Sequence, residues 1–203
     1  REKIANDNRY LNLKKHLDLY SDFITSSNAP YGLHRPRKDV YFKRPKIIFK
    51  IMFKEPEFTY DDTGIYFGFS FSSIINKPNN NYSLKYLLAI LNSKIATGWF
   101  NTNGKKRGAG VDIGVNKLRT FPVKISNDNS SLMTIVDYLL FLNTVHNDSL
   151  DYKLMTTYFE QIIDGIVYEL YFPNLLKEHN RTIIEYLGVL PKFTDSTSNN
   201  EKE

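Results

Sequence analysis

Basic side chains set among glycines and prolines are the residues of this chain best suited to chemistry, and that chemistry is the gripping of anions. Lys105, Lys106 and Arg107 stand in a row among glycines at 104, 108, 110 and 114, and Lys117 and Arg119 follow. Arginine presents a planar fork of donors that matches a phosphate or the edge of guanine. The glycines would let a flexible loop come close to a polyanion and reorder on contact. An earlier cluster holds His34, Arg35, Arg37, Lys38, Lys43, Arg44 and Lys46, with Asp39 as its one acid and Pro36 and Pro45 as stiffeners. Asn101 and Asn103 carry carboxamides of the type that pairs with adenine through two hydrogen bonds. The expected DNA contacts are therefore Arg35, Arg37, Lys38, Lys43, Arg44, Asn101, Asn103, Lys105, Lys106, Arg107, Lys117 and Arg119. The plainer alternatives are a solvated loop at either cluster, or Arg35 paired with a structural carboxylate.

Other chemistries find less support. Metal-dependent cleavage needs clustered carboxylates, but Asp61 and Asp62 fall in a turn with Thr63 and Gly64, and Asp151 opens a helical pattern. The four histidines (16, 34, 146 and 179) have no ligand spacing and there is no cysteine, so neither a zinc site nor a disulfide is expected. The aromatic run from Tyr60 to Phe71 reads as sheet core before it reads as a base-stacking platform, and Trp99-Phe100 reads as packing.

Bulk properties agree with a folded, mildly basic chain. The 203 residues carry a net charge of +5 and a hydrophobic fraction of 41%, enough for a core and weakly suggestive of a polyanionic partner. No stretch approaches the roughly 20 apolar residues that cross a bilayer, and the start carries no export signal. The expected setting is the cytoplasm. The first residue is Arg1 and not Met, so a fragment of a longer chain is expected.

The elements that must position these residues follow from periodicity. A helix is expected from about Arg9 to Ser26, with Leu13, Leu17, Tyr20 and Ile24 on one stripe. From Pro45 the period falls to two: Ile47, Phe49, Ile51 and Phe53 alternate with Ile48, Lys50, Met52 and Lys54, which describes a strand. A second strand near Phe58 and a third over 65–75, joined at Asp61-Asp62-Thr63-Gly64, would make a hairpin. Ser83 is a suitable N-cap for an apolar helix carrying Leu84, Leu87, Leu88, Leu91 and Ile95. That helix would deliver the glycine-and-lysine loop to the surface. Helical periods return at Leu132–Thr144, Tyr152–Tyr171 and Leu175–Leu187. The expected fold class is α+β: a small mixed or antiparallel sheet with packed helices, followed by a C-terminal helical subdomain. The expected division is 1–125, 126–193 and a disordered tail over 194–203.

Taken in order, several of these segments resemble the TaqI-like C-terminal specificity domain, the target-recognition module of restriction-modification enzymes that also carry an adenine-specific DNA methyltransferase. They are His34-Arg35-Pro36-Arg37, Pro45-Lys46-Ile47, Asp61-Asp62, the run from Tyr86 to Lys94, and Leu118 with Phe121-Pro122-Val123. The run Phe159 to Tyr171 resembles the helix that closes such proteins. The chain departs from the family's proline-aliphatic-proline ending at Pro122-Val123. The resemblance implies double-stranded DNA and the methyltransferase domain of a parent chain as partners, in a bacterial or archaeal type II or IIG system. It implies S-adenosylmethionine for the parent, and leaves open an endonuclease activity with magnesium. This chain shows neither a glycine-rich cofactor motif nor the Asn-Pro-Pro-aromatic tetrapeptide, so no catalysis, cofactor or metal is expected of it. The competing expectation is a protein-interaction or structural module that docks onto a methyltransferase or nuclease subunit.

Overall fold

The computed structural model describes residues 2–24, 29–32, 36–79, 82–126, 130–145 and 149–192. The chain forms two compact units, Arg1–Phe42 and Lys43–Glu203. This division falls inside the stretch 1–125, and places the C-terminal helices in the same unit as the strands. The expected tail over 194–203 lies outside the described residues.

The first unit is made of short helical pieces. α1 (Glu2–Asn6) leads into a 3-10 turn (Asn8–Tyr10), α2 (Leu11–Asp18) and a second 3-10 turn (Ser21–Phe23). Asp7 caps the first turn by accepting from the Arg9 backbone N–H at 3.0 Å. The continuous helix expected from Arg9 is therefore only eight residues of α-helix, and α2 buries none of them. α3 (Val40–Lys43) follows, with its last residue counted in the second unit.

In the second unit, β1 (Lys46–Lys50) is the central strand of an antiparallel sheet ordered β3-β1-β4, with β3 at Phe58–Asp61 and β4 at Phe71–Ile75. β1 carries the alternation that sequence shows, with Ile47 and Phe49 buried and Lys50 exposed. The expected β3–β4 hairpin is not formed, because β1 lies between the two strands. Residues 62–70 are consequently a connection across the sheet end. Asp61 turns it: its carboxylate accepts from the Thr63 hydroxyl at 2.7 Å, the Thr63 N–H and the Ile65 N–H, both at 3.2 Å. The aromatic run is thus not the core that its alternation suggests. Phe69 is 96% exposed, and Ile65 and Tyr66 are more than half exposed.

β2 (Met52–Phe53) follows β1 after a break at Ile51 and joins a second antiparallel sheet, ordered β2-β6-β5, with β5 at Lys105–Arg107 and β6 at Gly110–Asp112. Between β4 and β5 the chain runs through α4 (Leu84–Asn92) and α5 (Lys94–Asn103). Ser83 caps α4 by accepting from the Tyr86 N–H at 3.2 Å. The single apolar helix expected here is broken at Ser93, which ends α4 by bonding the Ile90 carbonyl and starts α5 by accepting from the Ala96 N–H. α6 (Gly114–Leu118) comes after β6, and α7 (Ser130–Thr144) and α8 (Leu150–Tyr171) start within two residues of the expected bounds. The last expected helix is shorter: α9 (Pro173–Glu178) ends before Asn180, whose φ is 51°, and a 3-10 turn (Ile184–Tyr186) follows.

Strands and helices share one core. Leu88, Ala89, Ile90 and Leu91 of α4 cluster with Ile135 and Val136 of α7 and Ile163, Ile166 and Val167 of α8. Glu169 of α8 accepts from the backbone N–H groups of Ile183 and Ile184 at 2.6 and 3.0 Å, fastening the following segment. The fold is α+β, with small antiparallel sheets, packed helices and C-terminal helices, as sequence indicates.

Candidate nucleic-acid interface

The cationic row Lys105, Lys106 and Arg107 is held from beneath by aromatic rings. Phe100 of α5 is fully buried. Its ring stacks on Phe58 at 5.8 Å, meets Phe53 edge-on at 5.8 Å and lies 5.3 Å from Phe121. Trp99 meets Phe121 edge-on at 5.3 Å. Aromatic pairs at such separations add to the energy of burial itself, so the end of α5 is a rigid mount.

Gly104 then closes the helix, donating its N–H to the Phe100 carbonyl at 2.8 Å. A Cβ at position 104 would stand 2.2 Å from Val111 Cγ1 and 2.7 Å from the Phe100 oxygen. This glycine therefore serves close packing between helix and hairpin, not approach to a ligand. Gly108 has φ 57° and sits first in the two-residue turn between Arg107 and Gly110, the position where a type II′ hairpin turn takes glycine. What looks in sequence like a flexible glycine loop is an ordered hairpin, its inner strand paired to β2 through Phe53↔Val111.

The three cations of β5 are exposed. Arg107 donates its Nε–H to Asp112 Oδ2 at 3.1 Å, and Asp112 Oδ1 accepts the Gly114 N–H at 3.1 Å. One carboxylate thus ties the hairpin to the start of α6 and aims the guanidinium, leaving its terminal NH2 groups for an incoming acceptor. Lys117 on α6 and Arg119 just after it are also exposed. From 105 to 119 the chain carries five cations against the single acid Asp112. The surface is suited to a phosphate backbone.

The remaining candidates are placed differently. Asn101 is exposed on α5, whereas Asn103 is half-buried and donates one of its two carboxamide N–H groups to the Trp99 carbonyl at 2.9 Å. Lys43 is exposed and Arg44 half-buried in the second unit; Arg37 and Lys38 are exposed in the first. His34 and Arg35 lie outside the described residues. Lys46 leaves the basic cluster altogether. Its side chain is 0% exposed and paired with Asp61, itself 3% exposed. A lysine at the start of β1 opposite Asp61 finds its counter-charge across the strand pair, which residue type alone does not reveal.

Sequence reasoning misses two further supports. Asp112 is one: hairpin register sets Lys105 opposite it and Arg107 opposite Gly110, so Arg107 reaches Asp112 diagonally across the pair, and the Gly108-Ala109 turn flanked by basic and apolar residues is the available signal. The other is a strap over the return 122–125. Tyr86 donates its hydroxyl to the Lys124 carbonyl at 2.7 Å, and Tyr171 donates to the Pro122 carbonyl at 2.6 Å. Burial pushes the Tyr86 phenol up to about 12.

Residues 1–123 match the family model of the TaqI-like C-terminal specificity domain. No curated protein compared with the chain matches it.

Proposed function

Because the chain belongs to the TaqI-like C-terminal specificity domain family, a family of DNA recognition in restriction-modification systems, we propose that it binds a short specific sequence in double-stranded DNA as the target-recognition domain of a type II or IIG restriction-modification methyltransferase. The observation that carries this reading is the row Lys105, Lys106 and Arg107, exposed on a braced hairpin beside Lys117 and Arg119. Lysines there hold phosphates. Arg107, aimed by Asp112, and exposed Asn101 are the groups suited to base edges, each good two-bond contact adding about 1–3 kcal/mol of discrimination. Arg37, Lys38, Lys43 and Arg44 add phosphate contacts.

The chemistry belongs elsewhere in this reading. A methyltransferase segment of the parent binds S-adenosylmethionine and takes the target adenine out of the stack, with magnesium added where the parent also cuts. Neither step uses a residue of this chain.

The test is fluorescence anisotropy with labelled duplex across a salt series. Five phosphate contacts drawn from these cations give a log–log slope of about −4.5, and alanine at Lys105, Lys106 and Arg107, which removes the two lysine–phosphate contacts, brings it to about −2.7. Single-stranded DNA and RNA compete poorly. A slope indifferent to the triple variant, or single strands competing as well as duplex, contradicts the reading.

A further inference from the structure

On β3, α4, α7 and α8 the second unit carries a groove of about 760 Å³ whose charge is opposite to that of the hairpin. Its floor is apolar and buried: Phe58, Leu88, Ala89, Val136 and Ile163. Its rim holds three carboxylates, Glu55, Glu160 and Asp164, against one cation, Lys94. Lys94 is already engaged, with its Nζ 3.4 Å from Asp164 and its backbone N–H donating to the same carboxylate at 2.8 Å. Glu160 makes no ion pair among the described residues, and sits one helical turn before Asp164 on α8. Burial, and then the neighbouring Asp164, raise its carboxyl above the ordinary glutamate value, the condition of an acid that lacks a cation.

The wall of the groove is an edge strand. β3 pairs with β1 on one side only, and the Asn92 carboxamide takes the place of a neighbouring strand at Phe58, accepting its N–H at 3.0 Å and donating to its carbonyl at 2.9 Å. Two residues on, Tyr60 turns its backbone groups to the same side, because alternate residues of an edge strand face outward. Such an edge can accept an extended peptide beyond the point where Asn92 stops it.

We propose that this groove binds an extended peptide segment of a partner protein, one carrying apolar side chains for the floor and a lysine or arginine for Glu160 and Glu55. Charge decides the class of occupant. A nucleic acid would bring phosphates against Glu55 and Glu160, which make no ion pair among the described residues, whereas a basic segment relieves them. The volume lies within the range of specific ligand sites. The groove therefore gives the chain a protein-facing surface, independent of the duplex-binding reading.

Panning a phage-displayed random peptide library on the full chain tests this, with the enriched peptides then synthesised and titrated against wild type, Glu160→Lys and Glu55→Lys. Enriched peptides should combine basic and apolar residues and lose affinity at least about tenfold on charge reversal. Both variants keep the wild-type circular dichroism spectrum and duplex affinity, since both side chains lie at the rim of the groove and outside the cationic surface. Backbone amide shifts on peptide addition should fall on 55–60, 88–97, 136–143 and 160–164. No enrichment, acidic peptides, undiminished binding to both variants, or duplex DNA shifting those same amides would each overturn the proposal.

Discussion

Substituting Gly104 with alanine probes whether the hairpin is a rigid mount or a loose loop. A Cβ there would need about 3.5–4 Å from carbon neighbours, yet meets Val111 Cγ1 at 2.2 Å and the Phe100 carbonyl oxygen at 2.7 Å. Val111 is 6% exposed on β6 and β-branched, so rotation of its side chain offers little relief. The Phe100 oxygen belongs to helix backbone and cannot swing away. Something must therefore move by about 1 Å, and overpacking of this order costs about 1–3 kcal/mol. In urea, where the slope for a domain of this size is about 2 kcal/mol per molar, the midpoint should fall by roughly 0.5–1.5 M. Gly98→Ala is the matched control, because its Cβ would meet nothing within 4 Å inside α5. It should stabilise by about 0.5–1 kcal/mol through helix propensity. Duplex affinity should drop for Gly104→Ala at urea concentrations where the fold persists, and stay constant for Gly98→Ala. Equal midpoints for wild type and Gly104→Ala would refute the reasoning.

Three further outcomes follow from named contacts. Burial opposes ionisation of Asp61, but Lys46, the Thr63 hydroxyl and N–H, and the Ile65 N–H outweigh it and lower its pKa from 3.8 to about 2. Because the folded value is the lower one, the stabilisation is present above about pH 4 and lost as pH falls towards 2. It amounts to about 2 kcal/mol, and urea titrations at pH 7 and pH 2.5 should show the loss in wild type and a flatter profile in Asp61→Asn. Removing the Asp112 carboxylate with Asp112→Ala should weaken duplex binding through Arg107, and the effect should shrink in an Arg107→Ala background, as a double-mutant cycle reads it. Tyr86→Phe deletes the hydroxyl that holds the Lys124 carbonyl and should cost about 1 kcal/mol in thermal or urea unfolding.

Much of this arrangement could be read from local patterns. Ser83 as a cap, the apolar positions of α4, and the full lengths of α7 and α8 depend on spacing and near-neighbour bonds, which sequence displays. The errors arose where distant partners decide. Residues 65–71 alternate like a strand, but β1 occupies the place beside β3, so the segment crosses the sheet end and leaves Phe69 exposed. Lys46 belongs by type with its basic neighbours and by register with Asp61. Ser93 has the residue type of a cap within an apolar pattern, and the distant Asp164 carboxylate of α8 accepts the Lys94 N–H at 2.8 Å just after the break. At the candidate site, the exposed cations were legible from their glycine-rich setting. The meaning of those glycines was not: Gly104 serves a close approach within the protein, and Gly108 a turn.

The most direct measurement is selection of bound duplexes from a randomised pool at moderate salt, with the wild-type chain, its Lys105→Ala/Lys106→Ala/Arg107→Ala variant and the parent-length protein in parallel. An enriched short motif from the parent-length protein, shared by the wild-type chain and lost in the variant, is the result this reading of the hairpin predicts. A pool that shows no enrichment from the parent-length protein would contradict it.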